Sequence, residues 1–155
     1  MFVEAQYAGV TFKSRLHARW AAFFDLANWK WAYQPLELVG WSPDFLVSWS
    51  CGHSECNGNH SLLVTVLPTF SLGDFKGHPC LDYPYGRDDS EDTIPADAGA
   101  AFGINTDVTY WEMAHGAGGG EDSVDFWVPD HRRLWILAGN AVSPSDPVTA
   151  SSPRN

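Results

Sequence analysis

The hydrophobic pattern near the N-terminus changes from a helical to an alternating period. Apolar residues recur at helical spacing directly after Ser14, a residue type that caps helix N-termini well. This pattern predicts a helix over residues 15–27. The residues of its apolar face are Leu16, Trp20, Phe23, Phe24 and Ala27. Bulky side chains then alternate over residues 29–33, which predicts a strand that Pro35 limits.

Two further strands are expected before the middle of the chain. Residues 37–49 favour a strand or a hairpin that is broken near Gly40 and Pro43. Residues 61–68 form a nearly continuous apolar run, which is typical of a buried strand. The following segment, 71–96, has no hydrophobic periodicity and is expected to be rich in loops.

The C-terminal region predicts a hairpin followed by a helix. Residues 106–114 and 123–129 are expected to be the two strands of the hairpin. The glycine-rich segment 115–122 is expected to be the turn between them. Asp130 is then expected to cap a helix over residues 131–142.

The order of these elements indicates one domain of the mixed α/β (α+β) class over residues 1–142. The tail, residues 143–155, is expected to be disordered. Hydrophobic residues make up 45% of the chain, which is enough to build a core. The sequence has no apolar run long enough to span a membrane, and its N-terminus does not resemble a signal peptide. We therefore expect a cytoplasmic protein that does not associate with membranes.

The charge of the chain is strongly acidic and unevenly distributed. Nine basic residues face nineteen acidic ones, a formal net charge of -10. This balance argues against broad binding to nucleic acid, because Lys and Arg must neutralise the phosphates. Segment 74–130 contains thirteen acidic residues against Lys76 and Arg87, whereas segment 13–30 is basic. The acids are either a solubilising surface or a surface that imitates nucleic-acid phosphates and occupies the basic cleft of a partner.

One polar loop concentrates side chains of the kind that bind zinc. The candidate ligands are Cys51, His53, Cys56 and His60. Thiolate and imidazole groups hold Zn²⁺ in tetrahedral sites, and His78 and Cys80 are alternative partners. The spacing lacks the two separated ligand pairs of a strong zinc signature, so an ordinary polar loop with reduced cysteines is the competing interpretation. No structural disulfide is expected.

Three segments resemble a nuclease-like group of the PD-(D/E)XK superfamily from phages and actinobacteria. They are GVTFKSRLHARWAAFFD, WKWAYQP and WSPDFLV, which are similar to F-R-S-R-L-E-A-R-W-A-x-F-F-D, W-x-Y-E-P and Y-x-P-D-F in that group. LWILAGN, residues 134–140, is similar to the group's C-terminal L-W-x-x-A-G-N. The resemblance implies a PD-(D/E)XK-like core, with a central mixed β-sheet flanked by an N-terminal and a C-terminal helix.

The resemblance also implies where a nuclease site would lie. The superfamily hydrolyses phosphodiesters with Mg²⁺ that is held by carboxylates, and a Lys helps to position the attacking water. The corresponding residues here are Asp44 for the Pro-Asp aspartate and His17 for the helix glutamate. The group also has a strand motif W-x-E-V-K-P-T, to which LLVTVLPT, residues 62–69, aligns through its proline. This alignment places Thr65 and Leu67 at the Glu and Lys of the strand motif. Only Asp44 keeps the chemistry of the group. We therefore expect a remnant of a nuclease site that has lost its other metal ligands.

Arg15 and Arg19 lie four residues apart and so share one face of the predicted helix. Two interpretations of this pair are open. The arginines are either weak remnants of a phosphate-binding surface or partners for the many carboxylates of the chain.

Three hypotheses for the function follow. The first is a non-catalytic, acidic protein of phage origin that inhibits a host nucleic-acid-targeting defence system, such as a CRISPR effector or a restriction enzyme. Its partner would be a basic, nucleic-acid-binding host protein, and direct binding to nucleic acid is not expected. The second is a divergent Mg²⁺-dependent nuclease that uses Asp44. The third is a structural or adaptor protein stabilised by zinc.

Overall fold

The computed structural model describes residues 4–51, 58–86, 94–115 and 118–142. The strands in these ranges are β1 (Ala5–Tyr7), β2 (Val10–Phe12), β3 (Lys30–Tyr33), β4 (Phe45–Ser50), β5 (Asn59–Val66), β6 (Tyr85–Gly86), β7 (Ile94–Pro95), β8 (Ala98–Phe102), β9 (Thr109–His115) and β10 (Gly118–Asp122). The helices are α1 (Arg15–Leu26), α2 (Val124–Trp127) and α3 (His131–Ala141). Two 3₁₀ turns cover Leu72–Phe75 and Pro79–Leu81.

A six-stranded sheet with the strand order β10-β9-β8-β5-β4-β3 forms the centre of the molecule. Strands β5 and β8 pair in parallel, and the other neighbouring strands of this sheet pair antiparallel. Helices α1 and α3 pack against each other, and both bury side chains in the same hydrophobic cluster. The expected mixed α+β class with a central mixed sheet is confirmed.

Helix α1 begins where the sequence predicts, directly after Ser14. The Ser14 hydroxyl accepts a hydrogen bond from the N–H of His17 at 3.2 Å, which satisfies one of the free amides of the first turn. The helix ends at Leu26, one residue before its predicted end. The indole Nε1 of the buried Trp20 donates to the carbonyl of Gly103 at 3.0 Å. This bond ties the helix to the end of β8.

The three strands after α1 form an antiparallel meander. The strands predicted over 29–33 and 61–68 are present as β3 and β5, and only the second half of segment 37–49 is a strand, β4. Its first half turns at Gly40, whose φ of 84° lies in the left-handed region that favours glycine. The meander places the start of β4 beside the ends of β3 and β5, close to the N-terminus of α1.

The C-terminal hairpin uses a different second strand from the one predicted. Residues 118–122, which were expected to belong to the turn, pair with β9 as β10. The assignment of 123–129 to a strand is wrong, because this segment contains the short helix α2. Val124 and Val128 are both buried and lie four residues apart, a spacing that suits one helical turn. The N–H of Val124 donates to Oγ1 of Thr109 at 2.9 Å and fixes the start of α2 against β9.

The last helix, α3, covers the predicted segment to within one residue. Asp130 occupies the N-cap position, as predicted, but its side chain makes no capping bond. The carboxylate of Asp130 instead accepts a hydrogen bond from Nε of Arg133 at 2.7 Å. The expected tail, 143–155, lies outside the described residues. Among the residues that the structure describes, no helix is long and apolar enough to cross a membrane.

Strand β8 lies at the centre of the sheet but was not predicted. Its sequence, AGAAF, contains no β-branched residue, although all five residues are buried. Small side chains are needed here because other backbone approaches closely. A Cβ atom on Gly99 would lie 1.9 Å from the carbonyl oxygen of Cys80 and 2.2 Å from the hydroxyl of Tyr85.

We expect Gly99→Ala to lower the free energy of unfolding by about 3 kcal/mol or more, because the added methyl group overlaps a backbone carbonyl that cannot turn aside. Urea unfolding followed by tryptophan fluorescence measures this loss. The matched control is Gly73→Ala, whose new Cβ would meet only the Ser71 hydroxyl at 3.4 Å and should change stability by less than about 1 kcal/mol. Equal stability of the two variants would contradict the close contact at Gly99.

Candidate functional site

Asp44 lies at the point where the meander meets helix α1. Its N–H donates to the carbonyl of Val64 at 2.8 Å, and its carbonyl accepts from the N–H of Gln34 at 2.7 Å. These bonds hold the backbone of Asp44 between the ends of β3 and β5. Oδ2 of its carboxylate accepts from the N–H of Val66 at 2.7 Å. The residue is 3% exposed, so its charge is almost removed from water.

Two side chains from the start of α1 contact the other oxygen of this carboxylate. Nζ of Lys13 lies 2.6 Å from Oδ1 of Asp44, and Nε2 of His17 lies 3.4 Å from the same oxygen. The lysine side chain is about half exposed, whereas His17 is 2% exposed. Both oxygens of Asp44 therefore already have partners within the chain.

A third polar side chain extends this cluster. Oγ of Ser14 lies 2.5 Å from Nδ1 of His17, so Ser14, His17 and Asp44 form a continuous chain of polar contacts. The same residue types in series make up hydrolase triads. Here the serine and the histidine are 6% and 2% exposed, and the hydroxyl also serves as the N-cap of α1. The series therefore links the helix to the sheet and does not present a nucleophile to solvent.

The electrostatics of Asp44 result from opposing effects. Burial disfavours the carboxylate, but His17, the ammonium of Lys13 and the amide of Val66 together outweigh it. These groups hold the pKa of Asp44 below its ordinary value. The carboxylate is therefore ionised at neutral pH, with His17 and Lys13 both in contact with Oδ1.

Thr65 and Leu67 do not join this cluster as ligands. The alternation of side chains along β5 places both with Leu63, which packs in a hydrophobic cluster on the sheet face opposite α1. Thr65 is buried and Leu67 is half-buried. The structure thus brings Asp44 and His17 together, while neither Thr65 nor Leu67 supplies a carboxylate or an amine.

A cavity of about 370 Å³ opens beside the cluster. Its lining residues are Lys13, Gln34, Leu36, Glu37, Ser42, Pro43 and Asp44. Sequence reasoning missed Lys13 as a member of the site, because the resemblance places its lysine two residues after a strand glutamate. The available signal was local, since Lys13 directly precedes the N-cap of the helix that carries His17.

Arg15 and Arg19 contact helix α3 from their shared face of α1. Nη2 of Arg15 donates to the carbonyl of Gly139 at 3.1 Å. The Arg19 guanidinium donates to the carbonyl of Trp135 at 2.7 and 3.0 Å and lies 4.2 Å from the centre of its indole ring. These bonds give both arginines a role in joining α1 to α3, away from Asp44. Phosphate binding by them stays a prediction.

The candidate zinc loop is described only at its ends. His53 and Cys56 lie outside the described residues, whereas Cys51 is half-buried and His60 is buried. Nδ1 of His60 lies 3.1 Å from Oδ2 of Asp97. Across the described ranges, no group of three or more His, Cys, Asp or Glu side chains is placed to hold a metal ion.

The alternative pair, His78 and Cys80, has structural partners. Nδ1 of His78 accepts a hydrogen bond from the N–H of Cys80 at 3.0 Å and so caps the second 3₁₀ turn. Burial raises the pKa of the Cys80 thiol to about 12, which opposes the thiolate that zinc requires.

Comparison with known proteins adds no relative to this description. No family model matches the chain, and neither a curated protein nor a solved structure matches it.

We expect Asp44→Asn to lower the free energy of unfolding at pH 7 by about 2 kcal/mol, because it removes a buried charge that is paired with the ammonium of Lys13 and contacts His17. A carboxylate with a depressed pKa stabilises the fold above its unfolded pKa of about 3.9 and loses this effect as the pH falls through its folded value. The variant should therefore show a flatter fall in stability below about pH 4 than the parent. Urea unfolding between pH 7 and pH 2.5 measures both quantities.

The control for this experiment is Asp107→Asn, which breaks an exposed ion pair with Arg132 and should cost less than about 1 kcal/mol. An acid-induced loss of stability that is the same in Asp44→Asn and in the parent protein would show that the folded state does not depress the pKa of Asp44.

Proposed function

We propose that this chain is a non-catalytic binding protein built on a PD-(D/E)XK-like core. One observation carries the proposal: Oδ1 of Asp44 is occupied by Lys13 and His17, and Oδ2 by the amide of Val66. A nuclease of this type needs carboxylate oxygens that are free to hold Mg²⁺ and a water next to it. Here an ammonium group already neutralises the carboxylate that the motif retains.

The order of elements supports the nuclease-like ancestry. Helix α1 is followed by β3, β4 and β5, in the order of the helix and strand motifs that the resemblance rests on. Asp44 directly precedes β4, so the Pro-Asp pair stands at the start of a strand. The two positions that lack suitable side chains, Thr65 and Leu67, belong to the strand motif next to it. A nuclease core that is reused for binding would keep its packing residues and lose its metal ligands, which is the combination proposed here.

The charge of the chain supports a basic partner. Segment 74–130 contains thirteen acidic residues, and the side chains of Asp82, Asp107, Glu112 and Glu121 are exposed. Such a surface repels nucleic acid and attracts proteins whose clefts bind it. We therefore propose a basic, nucleic-acid-handling partner, such as a CRISPR effector or a restriction enzyme in the cytoplasm of a bacterial host.

A second candidate function is a divergent Mg²⁺ nuclease. The cavity beside Asp44 favours it, because Glu37 lines the same space and would provide a second carboxylate. Lys13 would then have to leave Asp44 before a cation could enter.

If the chain is non-catalytic, it should cleave neither single-stranded nor double-stranded DNA or RNA in the presence of Mg²⁺ or Mn²⁺. The reason is that the Asp44 carboxylate is paired with Lys13. Gel analysis of labelled substrates measures this, with Asp44→Asn purified in parallel as the control for contaminating nucleases. Metal-dependent cleavage by the parent protein that disappears in Asp44→Asn would establish the second candidate in place of the first.

For the partner, we expect the immobilised full chain to capture a basic nucleic-acid-binding protein from a bacterial lysate at about 0.05 M NaCl and to release it by about 0.5 M, because salt screens charge pairs. DNA should displace the captured protein if both occupy the same cleft. The control is an unrelated protein of similar size and net charge. Binding that resists salt, or no selective capture relative to this control, would contradict an acidic surface that imitates nucleic acid.

A further inference from the structure

An apolar groove lies on the sheet face opposite α1 and is separate from the Asp44 cavity. It has a volume of about 550 Å³ and runs between the first 3₁₀ turn and strands β9 and β10. Leu72, Phe75, Leu81 and Tyr110 supply its apolar surface. Leu72 is 53% exposed, and Phe70, two residues earlier, is 79% exposed. Of these two residues only Leu72 lines the groove, and a large apolar side chain left open to solvent in the wall of a groove is typical of an interaction site.

Two carboxylates stand at one side of this groove. Glu112 and Glu121 are directly opposite each other in the antiparallel β9–β10 pair, so their side chains project from the same face. The hydroxyl of Tyr110, two residues before Glu112, donates a hydrogen bond to the Glu112 carboxylate. Like charges that face each other across a ladder repel, and one neutral hydroxyl does not remove this repulsion.

The charges of the groove are not balanced from within. Asp82 adds a third carboxylate to its lining, and Lys76 is the one basic side chain among the lining residues. In the part of the chain that the structure describes, no Lys, Arg or His side chain lies within ion-pairing distance of Glu112 or Glu121. The groove therefore combines apolar walls with an excess of negative charge.

We propose that this groove receives an arginine side chain of a basic protein partner. This inference rests on the proposed function and assigns the position at which that partner binds. A guanidinium group is planar and carries several donors, so one group can bond to both Glu112 and Glu121, and it also stacks on an aromatic ring such as Tyr110. The aliphatic part of the side chain packs on apolar walls such as that of Leu72.

Other occupants fit these features less well. The phosphates of a nucleic acid would be repelled by three carboxylates. A lysine ammonium is a compact, strongly hydrated charge that does not match two facing carboxylates with one planar group. A divalent cation prefers six or more oxygen ligands, and the groove presents a largely apolar lining.

The experiment titrates the full chain, labelled with ¹⁵N, with the peptide acetyl-Gly-Arg-Gly-Arg-Gly-amide at low salt. A second peptide contains citrulline in place of arginine, which keeps the shape and removes the charge. We expect the arginine peptide to shift the backbone resonances of Tyr110, Glu112 and Glu121, and the citrulline peptide to bind at least about fivefold more weakly.

The test variant is Glu121→Gln, which keeps the size of the side chain and removes one of the facing charges. It should weaken binding of the arginine peptide about fivefold. The matched control is Glu4→Gln, which makes the same change of net charge at an exposed residue before β1 and should alter binding less than about twofold. Amide spectra of both variants show whether the fold is retained.

Each result decides between the groove and the broader proposal. Equal weakening by Glu121→Gln and Glu4→Gln would overturn the proposal that the groove binds arginine. It would still be consistent with binding that is driven by the overall acidity of the chain. Equal binding of the citrulline peptide, or no binding of the arginine peptide, would also overturn the proposal that the groove binds arginine. The salt-dependent capture of a partner would still test the proposed function by itself. Resonance shifts at Glu112 and Glu121 caused by millimolar Ca²⁺ that the arginine peptide cannot reverse would identify a cation site instead.

Discussion

The packing of helix α1 on the central sheet depends on the contacts of one buried group, the ionised carboxylate of Asp44. It joins three separate parts of the chain, because Lys13 and His17 come from the start of α1, Asp44 precedes β4, and the amide of Val66 ends β5. A buried charge is costly unless it is paired and hydrogen-bonded, so each of these partners is needed. The same pairing that holds the helix on the sheet removes the freedom a catalytic carboxylate requires. The contacts that stabilise the fold are thus the same contacts on which our proposal of a non-catalytic protein rests.

Much of the fold could be predicted from the sequence where local signals and tertiary packing agree. Helix α1 has a capping serine and a regular apolar face, and β5 has a run of apolar and β-branched residues. Strand β8 could not be predicted, because its residues are small to make room for Cys80 and Tyr85. These two residues lie outside the strand, so no local pattern reveals that they pack against it. The pattern of residues 123–129 predicts a strand in place of helix α2, because a single helical turn and a short alternating strand bury similar residues.

The candidate site shows the same division. Motif comparison pointed to Asp44 and His17, and the two residues meet in the structure. It could not identify Lys13, because the sequence alone does not reveal that a lysine before the helix contacts Asp44, which precedes a strand more than thirty residues later. The acidic pair Glu112 and Glu121 was visible only as composition, since its geometry depends on the register of β9 and β10. Register is set by pairing, and the glycine-rich strand β10 gave little indication of it.

The packing around strand β8 also makes Cys80 an internal reporter of motion. Its thiol is fully buried and its pKa is raised to about 12, so a thiol reagent reacts with it only after the second 3₁₀ turn has moved off the sheet. Cys51, which directly follows β4, is partly exposed, and we expect it to react without this movement. The labelling rate of Cys80 relative to that of Cys51 therefore reports how often this face of the sheet opens. Because the groove shares Leu81 with that 3₁₀ turn, a ligand that fills the groove would slow the labelling of Cys80.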